Sequence, residues 1–583
     1  KEKPLSFLNH NLKTGNSLIG ARLDDIGKYP GKGDKKQPSI FSDDRDFKEA
    51  VGKAISNYAR ITSTDSATLD VIADKKAWLD EIDEILKPYK LVCDMHTSIY
   101  FGNEISEWKY KELIDNKDIV LSNFAMPSYF HWELEFPAVA IEKDGFDINL
   151  GNPPWGGELS DNEKAFLASI FDHVHMRTSE TANYFLAKAD LLGFRGSYIG
   201  MIIPNNFLFQ HEFAKARKYY IEKTGIKQAI NLGDSVFKVT APSCIVILHL
   251  QQHVPPTNQH INIADYRDVS RETLPSYLVN GHCFVIKPSD ILSSPDYIIP
   301  MSKSSGDIIK RIFHNVPDLI DAICDEVASG ISTGGDKIFR ISDHEAKSLN
   351  IEQEILRPTL VGREVQPYYV PDETEYSIIY STKSVTEKRY PRTINYLMPY
   401  KDKLSQRSEA RKGLITWSAL NRPRYPGLFE APKIVLRQTA DTIYAAIDSF
   451  GYYCLDSIII IRPKDVDFIK YYLGLLNSKL MRWIYSNLTQ EQNRVFAQVK
   501  PVNIRKLPIR KIDFSSLTDK QIYENIVSLV DLVMRLNKQK YENPEEKLLP
   551  ENITEALEKI DLLVYALYNL SKEDISIIEE ESK

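Results

Sequence analysis

The chain has 583 residues, of which 43% are hydrophobic and 26% charged, with a net charge of −7. At roughly 100–200 residues per domain this length predicts two to four domains of ordinary globular composition, and the acidic balance argues against a general nucleic-acid coat. No apolar run approaches the ~20 residues of a membrane span, and five scattered cysteines with no CxxC pair argue against a disulfide framework or a zinc site, which favours a reducing, cytoplasmic setting.

In chain order, LSFLNHNLKTGNSLIGA reads as a strand-and-turn fragment. Over residues 44–117 the apolar spacing is helical (Ala54, Tyr58, Ile61, then Trp78, Ile82, Ile85 and Leu86), which predicts a helical insertion. From about 127 to 250 strands and helices alternate. FDINL reads as a strand, TANYFLAKADLLGF as a helix, GSYIGMIIP as a strand, FAKARKYYIEKT as a helix, and KQAINLG and PSCIVILHL as two strands. Such alternation predicts a doubly wound α/β sheet, whose ligands sit beyond the carboxyl ends of its strands.

Residues 287–305 are rich in Pro and Ser and read as a linker. From 327 to 508 the pattern is mixed, with strands such as KIVLRQT and SIIIIRP. From Leu517 onward IYENIVSLVDLVMRLNK and ITEALEKIDLLVYALYNL repeat apolar residues at three and four, and YENPEEKLLPEN between them breaks the helix, so a helix pair is predicted. The expected domains are therefore 1–300, with an insertion at 44–117, then 301–515 and a helical region at 516–583.

Charge is unevenly distributed. Residues 383–437 hold 13 Lys/Arg against 4 Asp/Glu, an excess of +9 that leaves −16 on the rest of the chain. With Tyr390, Tyr396, Tyr400, Trp417 and Tyr425 interleaved, this block reads either as a footprint for a polyanion or as a solvated surface.

The stretch FDINLGNPPWGG (residues 146–157) ends a strand in a rigid loop. Its residue types suit one chemistry. The exocyclic amine of a nucleobase is a poor nucleophile because its lone pair is delocalised, and hydrogen-bond acceptors on both N–H groups pull the nitrogen toward tetrahedral geometry. The Asn152 side chain offers one carbonyl, and the Pro153 backbone carbonyl, held by the restricted dihedrals around proline, offers the second. Trp155 gives a face on which a base removed from the duplex can stack. The competing reading is a strand-to-loop turn with an apolar cap.

In context this loop resembles the Asn/Asp-Pro-Pro-aromatic motif of N6-adenine-specific DNA methyltransferases, in the subfamily of type IIG restriction–modification and phage-exclusion enzymes. FHWELEFPAVA (130–140) resembles the run into that motif, NYFLAKADLL and GSYIGMIIPNNFL its next helix and strand, and DSVFKVTAPSCIVIL its target-base motif. The resemblance implies an incomplete Rossmann-like class I methyltransferase core, S-adenosylmethionine as methyl donor, and flipping of the base. It makes Asn152, Pro153, Pro154 and Trp155 the catalytic loop, with Trp155 and Phe237 sandwiching the adenine.

Downstream, GISTGGDKIF, LRPTLVGREVQPYY, APKIVLRQT, LLNSKLMRWIY and RKLPI resemble the target-recognition domain of the same enzymes, in the region of the basic block. That implies duplex DNA as partner, with Arg363, Arg422, Arg424, Lys433, Arg437, Asn493 and Arg494 as candidate contacts. A partner nuclease or other defence subunits are implied as well, and no metal site.

The pattern departs from the family at the cofactor site. No Gly-rich loop after an apolar strand precedes NPPW, and GKGDKK (31–36) reads as a loop. LKTGNSLIG resembles the third cofactor element, which makes Asn16, Ser17 and Leu18 the candidate cofactor residues and implies that the first two elements are missing from this chain. Glu345, Ala346 and Lys347 resemble the end of a metal-dependent nuclease motif but lack its Pro-Asp and lie in a polar helix, so they are rejected. The rival readings are a DNA-recognition subunit without catalysis, a cytosine-N4 enzyme acting through the same loop, and methylation of a protein glutamine or an RNA base.

Overall fold

A computed structural model describes residues 7–30, 41, 44–66, 68–115, 127–178, 180–234, 236–250, 260–489, 498–542 and 549–582. GKGDKK, Asn493, Arg494 and the centre of YENPEEKLLPEN lie outside the described residues. The chain divides into two compact units, Lys1–Met301 and Ser302–Lys583. No helix among the described residues is long and apolar enough to cross a membrane.

In the first unit the helical spacing after residue 44 becomes α1 (Arg45–Ser63), α2 (Leu69–Ile99) and α3 (Glu107–Asp115). Asp44 starts α1 by accepting the backbone N–H groups of Asp46 and Phe47, which have no partner inside the helix. The apolar faces of these helices share a core that includes Ile61, Ile82, Leu86, Val92 and Leu134. The described residues of the opening stretch form no strand; they make the single turn Asn9–Asn11, and a second turn follows at Leu23–Asp25.

FDINLG forms β1 (Phe146–Gly151), followed by α4 (Asp161–Ile170), α5 (Thr181–Leu192), β2 (Gly193–Pro204), β3 (Ile226–Gly233), β4 (Ser243–His249), β5 (Ile261–Asp265) and β6 (Phe284–Ile286). The sheet order is β1-β2-β4-β3-β5-β6. β1 pairs with β2 in parallel, while β4 runs antiparallel to both β2 and β3. The carboxyl ends of β1, β2 and β3 and the amino end of β4 therefore lie on one side. One face is closed by Ile199, Ile203, Cys244, Val246 and Leu248. The opposite face of β1 leaves Ile148 and Leu150 exposed.

Residues 287–305, expected as a linker, are packed. Prolines 288 and 295 open short helices, a position where the missing N–H costs nothing, and Ile291 and Ile299 are buried. Arg217, fully buried, donates to the carbonyls of Phe207, Asp296 and Tyr297 and clamps this turn to the sheet's helical cover.

The second unit begins with α6 (Lys303–Asn315). It contains two four-stranded sheets built from β7 (Cys324–Ser329), β8 (Arg340–Ser342), β9 (Leu356–Leu360), β10 (Tyr376–Ile379), β11 (Lys433–Arg437), β12 (Ala445–Asp448), β13 (Tyr453–Cys454) and β14 (Ile458–Pro463). Their orders are β12-β11-β14-β7 and β13-β9-β10-β8, and a single hydrophobic cluster spans both.

Helices α7 (Ile469–Asn477), α8 (Lys479–Thr489), α9 (Leu517–Glu542), α10 (Leu549–Leu567) and α11 (Lys572–Glu581) follow. The helical tail packs on its own unit. Gly474 of α7 lets α9 approach so closely that a Cβ there would lie 2.8 Å from Ile526, and Asn537 of α9 donates to the Pro367 carbonyl.

Candidate active site

β1 ends at Gly151, so Asn152 is the first residue beyond the carboxyl end of the strand, and its side chain is exposed. Pro153 is buried and fixes the chain as it leaves the sheet, while Gly156, with φ +59°, turns it back. The loop is held from below by the start of α5. The Thr181 hydroxyl donates to the Pro154 carbonyl (2.6 Å) and accepts the Gly157 N–H (3.3 Å). The Glu180 carboxylate accepts the Gly156 N–H (2.9 Å) and also caps α5 at Ala182.

Phe237 lies in the connection between β3 and β4, at the same end of the sheet. It meets Trp155 with ring centroids 5.2 Å apart and planes at 90°. The two sequence-predicted aromatic residues are thus brought together, but edge to face. A base cannot lie between rings in that arrangement, so Phe237 has to swing away before a sandwich forms. The Trp155 indole N–H is enclosed and finds no acceptor among the described residues.

Beneath this end of the sheet runs a polar ladder that the sequence reading missed. Asn205 donates to the Asn231 side-chain carbonyl and Asn231 to Asp265, each at 3.1 Å, and the Gly233 N–H also reaches Asn231. Asn231 is fully buried, and satisfied buried amides of this kind fix the relative heights of the strand ends. Asn and Asp at or just beyond the ends of β2, β3 and β5 were the available signal.

The candidate cofactor residues pack against the segment that leads into β1. The Asn16 side-chain carbonyl accepts the Leu18 N–H (3.1 Å), forming a closed turn. The Ser17 carbonyl accepts from the Trp132 indole, and that ring packs on Phe146 at the start of β1.

In the second unit, backbone and side-chain hydrogen bonds gather four of the candidate arginines. Ser332 and Arg422 bond reciprocally, Arg424 reaches the Gly330 carbonyl, and Asp456 donates to Ile331. Next to Asp456, Ser457 accepts from Gly362 through its hydroxyl and from Gln438 through its carbonyl, which brings Arg363 and Arg437 alongside. Arg363 and Arg422 are exposed; Arg424 and Arg437 are half-buried.

Lys433 corrects the sequence expectation. It is fully buried on β11, paired with Asp448 at 2.5 Å and donating to the Phe429 carbonyl, so no phosphate can reach it. Arg407, from the same basic block, also serves the fold, donating to the carbonyls of Leu404, Thr333, Trp417 and Ala419. Lys383, Lys388, Arg389, Arg392, Lys401, Lys403, Arg411 and Lys412 remain exposed.

Comparison with known proteins fits this division. Residues 71–237 match the family described as Eco57I restriction-modification methylase, and residues 357–509 match the TaqI-like C-terminal specificity domain. The chain is 26% identical to a candidate type II restriction enzyme and methyltransferase of Methanocaldococcus jannaschii, RM.MjaORFECS2P, over 75% of this chain and 32% of that protein. It is 22% identical to the type II methyltransferase M.HindII of Haemophilus influenzae, over 77% of this chain and 88% of that one. The chain therefore spans about a third of the first relative and most of the second. Among solved structures it resembles the type IIL restriction-modification enzyme MmeI bound to DNA, at 14% identity and TM-score 0.50, over 88% of this chain and 65% of that one. At that identity the likeness is one of fold.

Proposed function

We propose that this chain, which joins an Eco57I-type methylase domain to a TaqI-like C-terminal specificity domain, methylates adenine N6 in duplex DNA as the modification activity of a restriction–modification or anti-phage system. In this reading residues 1–300 are the methyltransferase core, 301–515 read the target sequence, and 516–583 brace that domain.

The observation that carries the reading is the exposed Asn152 amide at the strand end, beside Trp155 and Phe237. The Asn152 side-chain carbonyl and the Pro153 carbonyl accept the two N–H groups of the target amine and raise its nucleophilicity. Trp155 stacks on the flipped ring once Phe237 has moved. Positioning supplies most of the rate, as expected for a transfer that needs little acid–base chemistry. S-adenosylmethionine is the methyl donor that the family implies. Asn16, Ser17 and Leu18 are the proposed contacts of that donor, and the Asn16 side-chain carbonyl, which accepts the Leu18 N–H, keeps a second lone pair for the donor's amine.

Sequence reading falls to the second unit. Arg363, Arg422, Arg424 and Arg437, together with Asn493 and Arg494, contact phosphates and base edges, and the exposed basic block steers the duplex.

Nucleoside mass spectrometry of DNA from cells carrying the complete gene tests the proposal, with Asn152→Ala as control. N6-methyladenine that disappears in the variant is the expected result. N4-methylcytosine in its place moves the chemistry to the cytosine amine. Absence of both bases in the wild type, with DNA binding retained, replaces the enzyme by a recognition subunit.

A further inference from the structure

The NPPW loop has few constraints of its own beyond its two prolines. Asn152 is exposed, and Gly156 and Gly157 follow at once. Its orientation is set from outside, by two consecutive residues at the start of α5. Thr181 is only 3% exposed and its hydroxyl is used twice, with its hydrogen committed to the Pro154 carbonyl and a lone pair to the Gly157 N–H. These contacts lie on either side of Trp155 and so fix both edges of the segment that carries the indole. Glu180 holds the Gly156 N–H between them. The fit is close: a Cβ on Gly157 would lie 3.2 Å from the Thr181 methyl carbon.

An ordinary helix start explains only part of this. The cap requires an acceptor for Ala182, which Glu180 provides. It does not require a Thr hydroxyl aimed away from its own helix at a neighbouring loop. We infer that Glu180 and Thr181 are positioning residues that set the tilt of Trp155 and the Pro153 carbonyl toward the target base. This rests on the proposed methyl transfer by the NPPW loop. Loop misplacement of about 1 Å typically costs on the order of 100-fold in rate.

The test uses the full protein with 5-fluorotryptophan incorporated, and Trp155→Phe identifies the Trp155 fluorine signal. Thr181→Val keeps the side-chain shape and removes both hydrogen bonds; Thr181→Ser keeps both. The expected result is that Thr181→Val shifts or broadens the Trp155 signal and lowers kcat for methyl transfer at least about 10-fold, with KM for DNA within about twofold, while Thr181→Ser restores both. An unshifted Trp155 signal with unchanged kcat overturns the inference.

Should Thr181→Val fail to fold, Glu180→Ala against Glu180→Gln makes the same comparison at the half-exposed partner. If the wild type itself transfers no methyl group, the proposed function fails separately. The fluorine signal then decides whether the pair orients the loop: a shift rescued by serine supports that, and no shift overturns it.

Discussion

Lys433 and Arg422 belong to the same basic block, yet burial gives them opposite roles. Lys433 and Asp448 are both fully enclosed, and each is the other's countercharge. Removing one partner of a buried pair strands the other charge in a poorly solvating interior, at about 3–5 kcal/mol. Lys433→Ala should therefore lower the stability of the second unit by that order and leave DNA affinity of the folded fraction unchanged. Thermal unfolding alongside DNA titration checks both halves. A large affinity loss with an unchanged melting temperature would return Lys433 to the interface. The sequence could not separate the two arginine and lysine roles, because counting charges in a window carries no information on which side chains the fold will enclose. It did single out Asn152, Trp155 and Phe237, whose residue types are themselves the chemistry. Thr181 escaped notice because its partners are 24 and 27 residues away and become neighbours only when α5 packs beneath the loop.

Among the elements, the junction of α8 with α10 carries a pH dependence. Asp561 of α10 accepts the Lys479 N–H at the start of α8 (2.8 Å), and burial, partly offset by that bond and by the charges of Lys479 and Arg482, pushes its carboxyl up to about 6. The folded protein thus holds a proton that the unfolded chain has released. The associated stability is fully present below the unfolded value near 3.9 and is lost as pH rises through about 6. A shift of about two pKa units corresponds to at most about 3 kcal/mol. Asp561→Asn keeps the acceptor without the charge. Its stability relative to the wild type should rise by up to that amount between pH 4 and 7 in chemical denaturation, and a difference independent of pH would refute the assignment. Element by element, FDINLG and the two long tail helices were legible because their periodicities are local. The antiparallel direction of β4 was not, since strand direction depends on partners far along the chain. Nor was the packing of residues 287–305, where Pro and Ser suggested a linker but Ile291, Ile298 and Ile299 supply a buried face.

On the scale of the whole molecule, a net charge of −7 and a block of +9 have to be reconciled with the proposed duplex partner. The rest of the chain, at −16, repels a duplex at long range, so attraction has to come from a confined surface. Burial narrows that surface further. Lys433 and Arg407 serve the fold, which leaves the exposed cations of residues 383–412 and the arginines gathered around Ser332 and Ser457. Affinity should therefore be strongly salt-dependent and localised. The slope of log K against log[salt] is about −0.9 for each phosphate neutralised, so replacing Arg389, Arg392, Lys401 and Lys403 together by glutamine should make the slope shallower by up to about 3.6 while leaving the preferred sequence intact. Arg422→Ala should change the slope by at most about one and relax discrimination at one base position. Fluorescence anisotropy over a salt series, with matched and mismatched duplexes, separates the two outcomes. An unchanged slope in the fourfold variant would mean that the basic block is a solvated face, and that duplex contact rests on the arginine cluster alone.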